Sequence, residues 1–194
     1  MLYLHILNVQ SITMTRILSL IICLSFLNVY NVSAKGKKRP PVAISFHLEA
    51  TDVQNKALVI ESDTPMGKKF IQKTPALVTS NFTAYYPFLS PHEGELYGVT
   101  LLLNQKSAGR LRAISVENKG QYIVANVNGK VVDMIYIDKE VDGRVITIWR
   151  GLDPAILKLV NPILPQIGED PKVWKERLKK EEKAAKRAAK LKGQ

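Results

Sequence analysis

Four aromatic residues, Phe82, Tyr85, Tyr86 and Phe88, crowd into the stretch TSNFTAYYPFLSP between Thr79 and Pro91. Exposed, Tyr85, Tyr86 and Phe88 would offer ring faces and phenol hydroxyls to an extended peptide. Buried, they would form an edge of the core, the commoner role for large aromatics. A second cluster is cationic. Lys179, Lys180, Lys183, Lys186, Arg187 and Lys190 sit in a Lys-, Glu- and Ala-rich C-terminal stretch. They suit contact with anionic lipid headgroups or another acidic surface, or a solvated tail.

Residues of the usual catalytic and metal-binding types do not converge. Glu93 and Glu95 are two apart in an expected loop, and nothing places them across a cleft for acid–base work. His47 and His92 lack a partner at helical metal spacing, and His47 reads as a residue on the wet face of a strand. Cys23 lies inside an apolar run and lacks the small residues that precede a lipoprotein cysteine. Asn81-Phe82-Thr83 matches a glycosylation sequon, a motif too short to decide anything without a host pathway. With no nucleophile–base constellation of the usual kind, no catalytic residue, metal or cofactor is expected.

The elements that must hold these residues are legible from pattern. Val42–Ala50 alternates apolar Val42, Ile44, Phe46 and Leu48 with Ala43, Ser45, His47 and Glu49, which predicts a strand with one wet face. Lys56–Glu61 and Lys69–Gln72 are further strand candidates. Val99–Leu103 is a continuous apolar run suited to a strand buried on both faces. Asn104 caps a helix over 105–118, with Ala108, Leu111 and Ile114 on one face and Gly120 ending it. QYIVANV, Asn128-Gly129 and KVVDMIYI predict a hairpin on a type I′ turn. After a turn at Asp142-Gly143, Arg144–Arg150 is a strand. Asp153-Pro154 and Asp170-Pro171 each combine a cap with a proline at the first helical position, predicting a short helix and a basic C-terminal one.

The spacing Ala108-x-x-Leu111-x-x-Ile114-Ser115-x-x-Asn118-x-Gly120, followed nine residues on by Gly129 of Asn128-Gly129-Lys130-Val131-Val132, resembles a known register. It is similar to the head subdomain of the first periplasmic domain of SecD/SecDF, the accessory subunit of the bacterial Sec export machinery. The register runs without a gap from about Val99 to Val141. It departs from the family at Ile135 and Glu140, where the family tends to have proline. The resemblance implies an α+β fold, a small mixed or antiparallel sheet with one packed helix in a ferredoxin-like sandwich. It implies handling of exported polypeptide, and it transfers no catalytic residue. The proton-driven work of that family belongs to a multi-span membrane domain and is not expected here.

Residues 1–34 have the order of a secretory signal peptide: Arg16, the apolar run ILSLIICLSFL, then Val32-Ser33-Ala34. Cleavage after Ala34 is expected, with an uncleaved anchor as the alternative. It would leave a chain with no cysteine, excluding disulfides and thiolate chemistry. Residues 35–41 read as a basic linker, 42–168 as the domain and 169–194 as a basic helical tail. The net charge of +11 lies mostly in the ends, since 40–168 carry 13 basic and 12 acidic side chains. Basicity therefore says little about the domain surface. The expectation is a non-catalytic exported module in the periplasm or cell envelope, contacting polypeptide or an envelope protein, and not nucleic acid. The alternative is an envelope scaffold held at an anionic membrane surface by its tail.

Overall fold

A computed structural model describes residues 41–51, 55–92 and 94–192, with side chains up to residue 188. The signal segment, most of the basic linker, Glu93 and the Lys190 side chain lie outside the described residues. The elements run β1 (Ile44–Leu48), β2 (Val59–Thr64), β3 (Gly67–Gln72), β4 (Leu77–Val78), β5 (Phe82–Leu89), β6 (Tyr97–Leu103), α1 (Gln105–Glu117), β7 (Tyr122–Val127), β8 (Lys130–Tyr136), β9 (Val145–Leu152), α2 (Pro154–Val160) and α3 (Pro171–Lys192). A single 3₁₀ turn at Thr79–Asn81 joins β4 to β5. The class is α+β. The strands form three antiparallel sheets: β4-β1-β7-β8, the β2-β3 hairpin, and β5-β6-β9.

Local chemistry explains the central segment. Asn104 Oδ1 accepts the Ser107 N–H at 2.9 Å and starts α1, while Gly120 adopts φ +88° just beyond its end. Ala108, Leu111 and Ile114 are buried with the two larger sheets in one core that includes Phe46, Leu101, Ile123 and Ile148. At the β7–β8 turn, Asn128 (φ 52°) and Gly129 (φ 87°) both take the left-handed conformation that a type I′ turn requires. Where the SecD family tends to have proline, Ile135 supplies an N–H, so β8 pairs with β7 as far as Tyr136 and Ile137 N bonds Gln121 O at 2.9 Å. The other face of β7–β8 is closed by the β2–β3 hairpin, through Ile71 on Val124 and Val131.

The aromatic stretch is a strand, β5, at the edge of its sheet. Part of that edge is sealed: Tyr85 N donates to Pro165 O at 3.0 Å, and Ile167 N donates to Tyr85 O at 2.8 Å. Pro87, two residues on and with the same backbone direction, has no N–H to offer there.

The sheets of β8 and β9 share no ladder. One buried side chain bridges them by hydrogen bonds. Asp133 accepts from Met134 N at 2.9 Å, from Trp149 N at 2.7 Å and from Arg150 Nε at 3.2 Å.

Candidate functional site

The outer face of β5-β6-β9 brings aromatic residues together. Register sets Tyr86 beside Thr100 and Thr100 beside Thr147, whose hydroxyls lie 3.1 Å apart. Phe88 lies across Gly98 and meets Trp149 edge to face at 5.8 Å between ring centroids. Gly98 has to be glycine, because a Cβ there would stand 2.4 Å from the Phe88 ring and 2.8 Å from Ile148 O. Tyr86 is 55% exposed and Trp149 48% exposed, so this face is open to solvent. Trp149 also borders a cleft of about 130 Å³ between the ends of β8 and β9, with Ile135, Tyr136, Val145 and Thr147 on its sides and Leu111 at its base. That volume is close to one that takes a benzene ring, about 150 Å³, and so suits one apolar side chain. Trp149 N points toward β8, and by strand alternation so do the main-chain groups of Val145 and Thr147. Ile137 faces β7, so Tyr136 presents its main chain toward β9. Trp149 N is taken by Asp133 Oδ2, but the edge groups of Val145, Thr147 and Tyr136 have no partner among the described residues.

The aromatic trio is split by the period of two. Tyr86 and Phe88 share the outer face. Tyr85 is a correction: it is 3% exposed, a core residue, and it drops out of the contact surface. Burial pushes its phenol above the ordinary value, against the Gln166 side-chain hydrogen bond and the Arg177 charge, which lower it. Tyr85 thus marks the joint between body and tail. Trp149, missed in the sequence, is visible only once β9 is set next but one to β5.

The tail helix is fixed at its base. Trp174 Nε1 donates to Asn161 O at 3.0 Å, and Arg177 Nη2 donates to Asn161 Oδ1 at 3.1 Å and Glu169 Oε1 at 3.0 Å. The hydrogen bond to Glu169 is the main reason the Arg177 guanidinium is held above its ordinary value. Lys179, Lys180, Lys183, Lys186 and Arg187 are all exposed. Lys172, Lys175, Lys179, Lys183 and Lys186 recur at helical spacing opposite Trp174 and Leu178, forming a row of roughly 21 Å at 1.5 Å per residue. Lys186 pairs with Glu182 at 2.6 Å and holds that carboxyl below its usual range.

A further arrangement lies on the outward face of β1. Ser45 Oγ is 3.0 Å from His47 Nε2, and His47 Nδ1 is 2.8 Å from Gln72 O. A carbonyl only accepts, so Nδ1 carries the proton of the neutral ring and Nε2 accepts from the serine. The signal was the same alternation that predicted the strand, since residues two apart share a face. His92 and Glu95 are exposed and converge with neither. Asn81, of the sequon, donates through Nδ2 to Ser107 Oγ at 2.9 Å.

No family model matches the chain, and no curated protein matches it in sequence. Among solved structures it is similar to one of SecDF, a membrane component that enhances protein export, with TM-score 0.41 and 15% identity over 56% of this chain and 55% of that chain. It is also similar to SecDF in its super-membrane-facing form, with TM-score 0.43 and 12% identity over 60% of this chain and 17% of that chain. The chain therefore spans about half the length of the first and about a sixth of the second.

Proposed function

We propose that the protein is an exported binding module that holds extended polypeptide by non-covalent contacts, its body corresponding to a free-standing SecD head subdomain. The observation that carries this reading is the open Tyr86–Phe88–Trp149 face continuous with a cleft between two strand edges that share no ladder. An extended backbone satisfies such an edge while alternate side chains fill the cleft or lie on the rings. Titration with a chemically unfolded secretory chain, read by Trp149 fluorescence and by a photo-crosslinker at Tyr86, tests it. Tyr86→Ala combined with Val145→Lys is expected to weaken binding at least tenfold with an unchanged thermal midpoint. Equal affinity for wild type and variant overturns the reading. Export rests on residues 1–34, and an N-terminus at Lys35 on the protein isolated from its native envelope supports it.

The lysine row favours a second reading, in which α3 seats the module on an anionic membrane surface. Co-sedimentation with phosphatidylglycerol vesicles is expected at low salt and lost near 0.5 M salt through screening. Retention independent of salt counts against it.

A further inference from the structure

The outward face of β1 carries Ser45 and His47, with Glu49 just past its end, each two residues from the next. The middle member is held. With Nδ1 committed to the carbonyl of Gln72, at the end of β3, the imidazole can neither spin nor change tautomer freely. Its Nε2 is thereby aimed at the Ser45 hydroxyl, 3.0 Å away. A nucleophile within hydrogen-bond reach of a base, the base oriented by a third group, is the arrangement that activates a serine. A donor stands beside it. Asn126 is the direct cross-strand partner of Ser45, and its Oδ1 is occupied by the Gly129 N–H at 2.8 Å. That contact fixes the amide and leaves Nδ2 without a partner among the described residues. Glu49 is next in the row but is taken by Lys69 Nζ at 3.0 Å and Tyr122 N at 3.3 Å, so the orienting group is the carbonyl and not a carboxylate.

From this geometry we infer that Ser45 is a nucleophile activated by His47, able to accept an acyl group from a small ester, with Asn126 Nδ2 as the donor to the developing oxyanion. The acceptor stands on a sheet face with no pocket around it, so it does not select among small acyl groups by size. In the step, Ser45 Oγ bonds to the carbonyl carbon and its proton passes to His47 Nε2. The carbon–oxygen bond to the leaving group breaks, and the proton goes on to the departing oxygen. Water, deprotonated in turn by His47, releases the acyl group as a carboxylic acid and restores the serine. Nothing in this depends on the polypeptide-contact face, which lies on a different sheet.

The test is acetylation of the full chain by p-nitrophenyl acetate, followed by peptide mass mapping and by release of p-nitrophenolate. Ser80, exposed and with no histidine beside it, is the internal comparator. Acetyl-Ser45 is expected to form about a hundredfold faster than acetyl-Ser80, the size of effect that general base assistance gives. His47→Gln should bring Ser45 down to the Ser80 rate, and Asn126→Ala should slow it by about tenfold or more. Ser45→Ala should abolish the adduct, while Ser45→Cys, with a thiol in the same place, should restore one. If His47→Gln does not fold, the wild-type ratio of Ser45 to Ser80 labelling and its fall in Asn126→Ala still decide the matter. Labelling of Ser45 no faster than Ser80, or labelling unaltered by His47→Gln in a folded variant, overturns the inference.

Discussion

Asp133 does with one carboxylate what a ladder does elsewhere, taking two main-chain donors and a guanidinium from two strands that share no ladder with each other. Asp133→Ala strands a part-buried N–H at Trp149 and removes the partner of Arg150, so a loss of about 1–3 kcal/mol is expected in denaturant titration. At Gly98 the argument is steric: G98A drives a methyl into the Phe88 ring and the Ile148 carbonyl. A loss of about 1–3 kcal/mol is expected, and relief by a second change, Phe88→Ala, would identify the ring as the obstacle. Tyr85 gives a pH dependence. Its buried phenol binds a proton more tightly in the folded protein than in the unfolded chain, whose tyrosines titrate near 10. The stabilisation is therefore whole below about pH 10 and is lost as pH climbs from there through the raised value. Tyr85→Phe has no proton to lose, so wild type should lose denaturant midpoint relative to Y85F from pH 8 to pH 11. A constant difference between the two would mean that the phenol titrates alike in both states.

The element whose making was clearest in the sequence is the run from β6 to β8. A capping asparagine, a three-residue apolar spacing, a glycine stop and an Asn-Gly turn are local signals, each acting within a few residues, and β6, α1, β7 and β8 formed where those signals put them. β5 was harder, because proline, serine and threonine around its aromatics read as turns, whereas pairing with β6 makes them a strand. The division into three sheets was not legible at all. It depends on which strands meet, and strand partners are chosen by long-range packing. The candidate site follows the same division. Tyr86 and Phe88 were visible as residue types, but Tyr85 could be separated from them only by the register, and Trp149 joins them from a strand about sixty positions away in sequence. The tail is an element of another kind, anchored at Trp174 and Arg177 and exposed beyond them. Trp174→Ala is expected to lower helical ellipticity by freeing the first turns of α3, while the body unfolds within about 1 kcal/mol of wild type. A large loss of body stability would show that the helix is part of the core.

For the molecule as a whole, order in space departs from order in sequence: β1 pairs with β7, and β6 sits between β5 and β9. Such distant pairings close long loops before any reward, so folding in milliseconds to seconds is expected in stopped-flow measurement. The two tryptophans divide the report, Trp149 in the body and Trp174 in the tail. In W149F the remaining signal should develop with or after the body signal of W174F, since Asn161 and Glu169 must be in place to receive the helix. The protected margin of β5 has a further bearing. A strand with a sticky aromatic flank and a bare border invites copies to join side by side into ribbons. Here the border offers no donor at Pro87 and is already occupied at Tyr85. Crowded copies therefore have no template along that side, and the adhesive flank stays free for other chains; Pro87→Val should make the protein prone to fibrils that thioflavin detects.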